Sequence, residues 1–281
     1  MDQIHIVAST INYIESHLDE RLDLNRISKA MGYSKYHIHR LFVNSVGMTI
    51  RDYAHRRQLT EAAKLLVFSD MPIIQIALLC GYESQQAFSS VFKLMYKTSP
   101  AQFRCGRSFY PLQLRWTLHL DTAGKKLAED AIRLAVRSDM DDWMRLAEMV
   151  VDGYPHMDEV QYRAAILRHI EASSALVLYD EAVLAGALAY SADTCSIDFL
   201  GVHPQYNRYG IHKMLLNVLI RNYLAGREIS MTTFREGDKA DTGYRELLKQ
   251  LGFAERELLI EYGYPTQRFA ICGCEMETDK L

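Results

Sequence analysis

Hydrophobic positions in the first hundred residues repeat with the period of an α-helix, and one arrangement occurs twice. Both copies begin with Gly-Tyr, at Gly32 and at Gly81. After Ser34 and Ser84, apolar residues follow at the fourth, seventh and eighth positions, which places them on one face of a helix. A short amphipathic stretch precedes each copy, while the glycine supplies a turn and the serine an N-cap. The sequence therefore predicts two helix-turn-helix motifs.

Further helices are predicted on both sides of these motifs. An amphipathic helix opens the chain, and a long helix over 50–68 separates the two motifs. Pro72 suits the first turn of the next helix, and Ser99 begins a short closing segment. We therefore predict an all-α domain over residues 1–107.

The second helix of each motif, predicted over 35–44 and 85–96, has a polar outward face. Arginine suits guanine and glutamine suits adenine, because each forms two hydrogen bonds to the base edge in the major groove. Neither face is a block of positive charge, which favours base reading over phosphate contact alone. The alternative is a solvated face of a helical bundle, but the duplication favours binding of double-stranded DNA. The candidate DNA-contacting residues are Lys35, Tyr36, His39, Arg40, Asn44, Gln85, Gln86, Ser89, Ser90 and Lys93.

Charge divides the 281-residue chain near the same point. Residues 1–107 hold 13 Lys and Arg against 9 Asp and Glu, whereas residues 108–281 hold 19 against 26. A basic N-terminal part and an acidic C-terminal part are typical of a domain that binds nucleic acid joined to a domain that does not. We find no long apolar run and no secretion signal. Five cysteines lack paired spacing, and Cys272-Gly-Cys274 has no second ligand pair nearby. We expect a cytoplasmic protein without a membrane span or a metal site.

Two stretches carry a family resemblance, LNRISKAMGYSKYHIHRLFVNSVGMTIRDYAHRRQLTEAAKLL and IIQIALLCGYESQQAFSSVFKLMYKTSPAQFR. They resemble the DNA-binding domain of the AraC/XylS family of bacterial transcription regulators, over about residues 5–105. The resemblance implies seven helices and two recognition helices that enter adjacent major-groove segments on one face of the DNA. It also implies base contacts at Tyr36, His39, Arg40, Gln85 and Gln86. Some members carry arginine where Ser90 stands, so one contact of the second motif is expected to be missing or weaker.

Beyond residue 107 the pattern changes to alternation and then to mixed α/β. Apolar residues from Leu112 to Leu120 alternate with polar ones, which predicts a half-buried strand within a connector over 108–129. The domain over 130–281 has predicted helices near Asp139, after Gly210 and from Tyr244. Its predicted strands cover 132–136, 176–179, 183–189, 196–202, 229–234, 258–262 and 269–272.

One connection in this second half is a candidate anion site. The predicted strand ending at Val202 leads through a short loop of exposed amides to Gly210 and a helix. Backbone N–H groups and the positive end of the helix dipole attract phosphate, and a glycine allows its close approach. The alternative is an ordinary strand-to-helix connection.

Four stretches in order, IRLAVRSDMDDWMRLAEM, SALVLYDEAVLAGALAYS, FLGVHPQYNRYGIHKMLL and GYRELLKQLGF, resemble the Gcn5-related N-acetyltransferase (GNAT) superfamily. The resemblance implies an α/β (α+β) domain with a mixed, mostly antiparallel central sheet that binds acetyl-CoA or another acyl-CoA. It implies that the backbone at Leu200 and Val202 holds the pantetheine arm and the acetyl carbonyl. The amides that it places around the pyrophosphate belong to Asn207, Arg208, Tyr209, Gly210, Ile211 and His212.

Three positions depart from that family's pattern. Asn207 replaces the usual first residue of the phosphate loop, and His212 replaces a small residue. The imidazole could crowd the phosphates or, when protonated, attract them. Many members have a general-acid tyrosine where Leu248 stands here, and leucine cannot donate a proton. Tyr244, one helical turn earlier, is the substitute candidate or a packing residue.

Asp198 is the first candidate general base, because strand alternation places its side chain on the same face as Leu200 and Val202. Glu236 and Asp238 are the weaker candidates, and the alternative for them is a solvated loop. Two functions remain open for the second half. It is either an N-acetyltransferase that acts on a small amine or peptide, or a catalytically inactive module for ligand sensing or dimerisation that controls DNA binding. Two motifs in one chain allow either a monomer or a homodimer to bind DNA.

Overall fold

The computed structural model describes residues 3–20, 22–120, 127–150, 159–261 and 264–273. The chain divides into two compact units. The described part of the first unit ends at Leu120, and that of the second begins at Leu127. Cys274 and the end of the predicted strand over 258–262 lie outside the described residues.

The first unit is all-α, as predicted, and its described residues form seven helices. They are α1 (Gln3–Glu15), α2 (Leu24–Met31), α3 (Lys35–Val46), α4 (Ile50–Phe68), α5 (Ile73–Leu79), α6 (Gln85–Tyr96) and α7 (Pro100–Gly106). Helices α2 and α3 form the first helix-turn-helix, and α5 and α6 form the second. We call α3 and α6 the recognition helices.

The duplication extends to the helix caps. Ser34 and Ser84 accept hydrogen bonds from the third residue of α3 and α6, and Thr49 and Ser99 do the same for α4 and α7. Each hydroxyl satisfies a backbone N–H that the helix itself leaves unpaired. Both pairs of caps are fifty residues apart, so the two halves of the unit share one local design.

Residues 109–120 contain no strand, so the strand predicted over 112–120 is wrong. Burial does alternate in part, since Leu112 and Trp116 are buried while Thr117 is exposed. The extended chain lies along α4. There Thr60 accepts hydrogen bonds from backbone N–H groups that a neighbouring strand would have bonded.

The described residues of the second unit form four α-helices and a mixed sheet. The helices are α8 (Met140–Val150), α9 (Glu159–Glu171), α10 (Ile211–Asn222) and α11 (Tyr244–Gln250). The strands are β1 (Arg133–Leu134), β2 (Ala175–Asp180), β3 (Val183–Ser191), β4 (Ser196–Val202), β5 (Glu228–Phe234), β6 (Ala254–Glu261) and β7 (Tyr264–Cys272).

The seven strands of the described chain have the order β1-β2-β3-β4-β5-β7-β6. Every neighbouring pair is antiparallel except β4 and β5, which are parallel. The α/β class and the mostly antiparallel sheet are therefore confirmed. One face of the sheet packs on α10 and α11, with Leu215 and Phe269 in the core. The other face packs on α8 and α9, around Trp143 and Phe199.

Within the described residues, no helix is both long and apolar enough to cross a membrane. The same part of the chain holds no group of three or more His, Cys, Asp or Glu side chains arranged to bind a metal.

Candidate functional site

The outward face of α3 carries the five predicted residues of the first motif. Lys35, Tyr36, Arg40 and Asn44 are exposed, and His39 is half-buried. The Arg40 guanidinium lies 5.6 Å from the centre of the Tyr36 ring, a cation–π arrangement. The structure therefore brings the Arg40 guanidinium and the Tyr36 ring together on the first half of this helix, both exposed to solvent.

The outward face of α6 carries the five residues of the second motif. Gln85, Gln86, Ser90 and Lys93 are exposed, and Ser89 is half-buried. Four of the five have an equivalent in α3 fifty residues earlier, so Ser90 stands where Arg40 stands. The first face is thus basic and aromatic, whereas the second is mainly amide and hydroxyl, and each suits different base edges.

Sequence reasoning missed Leu94 on this second face. Its side chain is 54% exposed, and it occupies the position of Asn44 in the other motif. The predicted apolar face consists of the fourth, seventh and eighth positions after Ser84, and Leu94, the tenth, lies outside that set. An exposed aliphatic side chain at this point can contact a thymine methyl group.

Not all of the positive charge of the first unit is available to a nucleic acid. Arg56 and Arg57 are buried. Arg57 Nε lies 2.8 Å from Glu15 Oε1, and its Nη2 lies 2.9 Å from Glu15 Oε2. These hydrogen bonds and the negative charge of Glu15 raise the Arg57 pKa against the opposing effect of burial. The Lys and Arg side chains on the recognition helices therefore make up a larger share of the positive charge that can contact DNA than the sequence count suggests.

In the second unit, the parallel strands β4 and β5 are paired at one end only, and we call the gap between them beyond that pair the cleft. Within the described chain their register consists of one pair, Ser196 with Ser230, and the Ser230 N–H donates to Cys195 O at 2.9 Å. Both strands continue for several residues beyond that pair without ladder bonds to each other. A ladder interrupted in this way leaves backbone groups of Leu200 and Val202 facing a gap.

Tyr244 reaches this gap from the start of α11. Its hydroxyl donates to the Leu200 carbonyl oxygen at 2.8 Å. Asp241 Oδ1 accepts from the backbone N–H groups of Gly243 and Tyr244, which fixes the beginning of that helix. The phenol therefore lies beside the β4 backbone, where the family resemblance places the pantetheine arm. Leu248 is fully buried in the core and takes no part in the gap.

The connection from β4 to α10 is more ordered than predicted. Instead of a loop of exposed amides, residues Pro204–Tyr209 form a 3₁₀ helix, and His203 Nδ1 accepts from the Gln205 N–H at 3.3 Å. Asn207, Arg208 and Tyr209 are exposed, and Ile211 is buried against Gly186.

Gly210 itself is the N-cap of α10, with φ 69°. A Cβ built there would meet no atom within 4 Å, so the site is open, and glycine brings no side-chain acceptor that would cap the helix. The first N–H groups of α10 can therefore receive an anion from outside the chain.

His212 follows Gly210 in the first turn of α10 and is half-buried. Burial lowers the pKa of its imidazole to about 4, because the charged form loses its hydration there. The side chain is then neutral near neutral pH, which disfavours the alternative in which a protonated imidazole attracts phosphate. A neutral ring can still donate or accept a hydrogen bond.

Asp198 does not lie where alternation predicted it. The register of β3 with β4 passes from Tyr190–Ile197 to Ala189–Phe199, so Asp198 is the extra residue of a β-bulge. A bulge reverses the alternation of faces. Its carboxylate lies 3.3 Å from His169 Nε2 on α9, on the sheet face opposite to the core that contains Leu200 and Val202. The prediction that Asp198 lies on the same sheet face as Leu200 and Val202 is therefore wrong. The argument for Asp198 as a general base depended on that face and is lost with it.

These features define a protein with two recognition helices on a duplicated helix-turn-helix unit and a separate α/β unit. A helix-turn-helix domain model matches residues 27–105. The regulatory protein SoxS of Escherichia coli is 36% identical over 104 residues, which are 37% of this chain and 97% of SoxS. The chain belongs to the AraC-type family of helix-turn-helix transcription regulators.

Two further likenesses concern parts of the chain. The HTH-type transcriptional regulator YbfP of Bacillus subtilis is 44% identical over 98 residues, 35% of this chain. The match spans 33% of the length of YbfP. A solved acetyltransferase of the GNAT family from Bacillus cereus covers 50% of this chain and 95% of its own, with 16% identity and a TM-score of 0.40.

Proposed function

We propose that this DNA-binding regulator carries a second unit that binds acetyl-CoA or another acyl-CoA. The observation that carries the proposal is the cleft between β4 and β5, whose parallel strands share one register pair, Ser196 with Ser230. Backbone groups at Leu200 and Val202 suit the amides of a pantetheine arm, which need donors and acceptors along an extended path.

The start of α10 supports the same proposal. Gly210 offers open space, the helix has no side-chain cap, and the exposed Arg208 adds a positive charge two residues before it. A pyrophosphate group suits this combination of helix dipole, backbone N–H groups and guanidinium. With His212 neutral, the ring adds no net charge to the site.

We favour a ligand-sensing role over turnover. Leu248 is buried in the core and cannot donate a proton, and Asp198 lies at the bulge on the opposite sheet face. Tyr244 favours the second candidate, an N-acetyltransferase, since its hydroxyl lies 2.8 Å from the Leu200 carbonyl oxygen inside the cleft. An aligned thioester and amine react without a strong general base, so a small amine remains the acceptor class for that candidate.

In the sensing role, the ligand changes the affinity of the two recognition helices for an operator in the cytoplasm. The protein acts as a monomer or as a homodimer, because one chain already presents both recognition helices. The regulated operator is double-stranded DNA with a recognition box for each of α3 and α6.

The experiment is a calorimetric titration of the full-length chain with acetyl-CoA, followed by thiol release with a panel of small amines. Binding without thiol release supports the sensor, and binding with release supports the enzyme. Absence of heat at concentrations well above the micromolar range contradicts acyl-CoA binding. The affinity for DNA selected from a random duplex library, measured with and without acetyl-CoA, then tests the coupling.

A further inference from the structure

The segment 109–120, which we call the strap, follows α7 and has no helix or strand of its own. Polar backbone groups of an irregular buried segment need partners, or they cost free energy on folding. At Leu112, Gln113 and Trp116 these partners are side chains of α4. This distinguishes the strap from an ordinary connector, whose backbone is solvated.

One face of α4 is built to receive the strap. Tyr53, Arg56, Arg57 and Thr60 are spaced as neighbours along one side of a helix. Thr60 Oγ1 accepts from the N–H groups of both Leu112 and Gln113 at 3.1 Å.

The two arginines of this face donate hydrogen bonds to carbonyl groups of the strap backbone. Arg56 Nη2 donates to the Leu112 carbonyl at 2.9 Å, and Arg57 Nη1 donates to the Gln113 carbonyl at 3.1 Å. The N–H of Trp116 donates to the Tyr53 hydroxyl at 3.3 Å. Two consecutive residues, Leu112 and Gln113, are thus bonded to α4 through both their N–H and their C=O groups.

The first end of the strap is attached to the second motif. Tyr110 Oη donates to the backbone carbonyl of Tyr96, the last residue of α6, at 3.3 Å, and the Tyr96 hydroxyl donates back to the Tyr110 carbonyl at 3.4 Å. Leu112 is buried in the hydrophobic core of that motif, together with Phe92 and Phe103.

The other end of the strap is attached to the first motif. The Trp116 ring lies 4.8 Å from the Tyr53 ring and 6.4 Å from the ring of Phe42, which lies on the inner face of α3. Arg115 Nη2 donates to Asn12 Oδ1 on α1 at 2.7 Å. Seven residues, 110–116, therefore contact the inner sides of both recognition helices.

We propose that the strap is a positioning element for DNA recognition, which fixes the distance and rotation between α3 and α6. It thereby decides which spacing between two recognition boxes the protein accepts. Neither Trp116 nor Thr60 touches DNA in this proposal. Trp116 packs on the inner face of α3, and Thr60 holds the strap on α4, so both act by positioning the recognition helices. The proposal rests on DNA binding by the first unit and is independent of any ligand of the second.

The test uses the full-length protein and a duplex that it selects from a random library. Two altered duplexes carry one base pair more or one fewer between the two boxes, which shifts one box by about 3.4 Å and rotates it about the axis. The wild type is expected to bind both altered duplexes at least about tenfold more weakly, a difference of about 1.4 kcal/mol.

Thr60→Val removes the shared hydroxyl at nearly constant volume and is the main variant. The spacing penalty is the factor by which affinity falls when one base pair is added or removed between the boxes. We expect this penalty to be below about threefold in Thr60→Val and to return to the wild-type value in Thr60→Ser. Trp116→Ala should behave like Thr60→Val, and Thr117→Ala, at an exposed strap position, is the matched control. A retained helical circular dichroism signal establishes that each variant is folded.

Two results would overturn the proposal. One is an unchanged tenfold spacing penalty in Thr60→Val and Trp116→Ala, whether or not their affinity falls equally on all duplexes. The other is a selected duplex with a single recognition box, because no spacing then exists for the strap to set.

Discussion

Gly47 and Lys97 end the two recognition helices at equivalent positions and share one backbone conformation, with φ 75° and φ 60°. This left-handed region suits glycine and strains a residue that has a Cβ. Lys97 Nζ donates to the Leu94 carbonyl at 2.8 Å, so the side chain offsets part of that strain. The duplication therefore identifies a strained position that neither motif would reveal alone.

Replacing Lys97 by glycine should relieve this strain. We expect Lys97→Gly to raise the free energy of unfolding of the first unit by about 1 kcal/mol. Urea denaturation of the full-length chain, followed by the fluorescence of Trp116 in a Trp143→Phe background, measures the change. Lys97→Ala is the control, since it removes the amine without freeing the backbone. A gain as large in Lys97→Ala would assign the effect to the side chain instead.

The exposed Arg40 is predicted to read a base. Arg40→Ala should weaken binding to the selected duplex by about 1–3 kcal/mol and leave binding to an unrelated duplex much less affected, because a lost bidentate contact matters only at the correct base. Fluorescence anisotropy with both duplexes gives the comparison. Lys64→Ala, at an exposed position of α4, is the control. Equal losses on both duplexes would instead make Arg40 a phosphate contact.

Because the space around Gly210 is open, two side chains of similar shape and different charge can be compared at the start of α10. We expect Gly210→Asp to abolish acetyl-CoA binding, because a carboxylate would occupy the positive end of α10 and repel phosphate. The Asn side chain has nearly the same shape as Asp but no charge, and Asn also tolerates a positive φ. Gly210→Asn should therefore lose less than about tenfold in affinity for acetyl-CoA. Isothermal titration of both variants separates the two effects. An Asp variant that binds as well as the wild type would exclude this helix start as the phosphate site.

The lowered pKa of His212 makes the stability of the second unit depend on pH. The folded chain protonates this imidazole near pH 4, whereas the unfolded chain does so near the ordinary value of about 6.5. The unfolded state therefore binds more protons in between, so stability is complete above pH 6.5 and falls as the pH decreases toward 4.

We expect the wild type to lose about 1–3 kcal/mol over that interval because of this residue alone. His212→Gln should lose that much less. Chemical denaturation, followed by Trp143 fluorescence in a Trp116→Phe background, gives the free energy at each pH. His5→Gln, which alters an exposed histidine of the first unit, should keep the wild-type slope. A His212→Gln variant with the same slope would contradict the buried-imidazole explanation.

The helices of the first unit were predictable because their signals are local. Apolar periodicity and capping hydroxyls such as Ser34 and Ser84 placed α3 to within two residues of its observed end, and α4 and α6 had the predicted bounds. Burial of one face and satisfaction of the first N–H groups both depend on residues only a few positions apart.

The second unit was less predictable where the signal is not local. Helix α9 was missed, and β6 begins at Ala254 rather than at Leu258, because an edge strand with exposed Glu255 and Arg256 shows no apolar alternation. The bulge at Asp198 depends on its pairing with β3, which the β4 sequence alone does not contain. The order of the elements did place Gly210 at the start of a helix, and it is the N-cap of α10.

The strap shows why alternation predicts extension but not pairing. Leu112 and Trp116 are buried, as in a half-buried strand, yet the hydrogen bonds go to Thr60, Arg56 and Arg57. The sequence signal that could have been used is the set of four polar residues on one side of α4, Tyr53, Arg56, Arg57 and Thr60.

The strap also changes where the first unit should be cut when it is produced by itself. The match to the helix-turn-helix domain model ends at residue 105, yet a fragment that stops at residue 107 would leave the ring of Phe42 without Trp116, and Arg56 and Thr60 without the backbone groups they bond. Such a fragment would expose an apolar slot and unpaired buried groups, which favours aggregation. The folded unit is therefore longer than the match to the domain model, and its described part extends to Leu120.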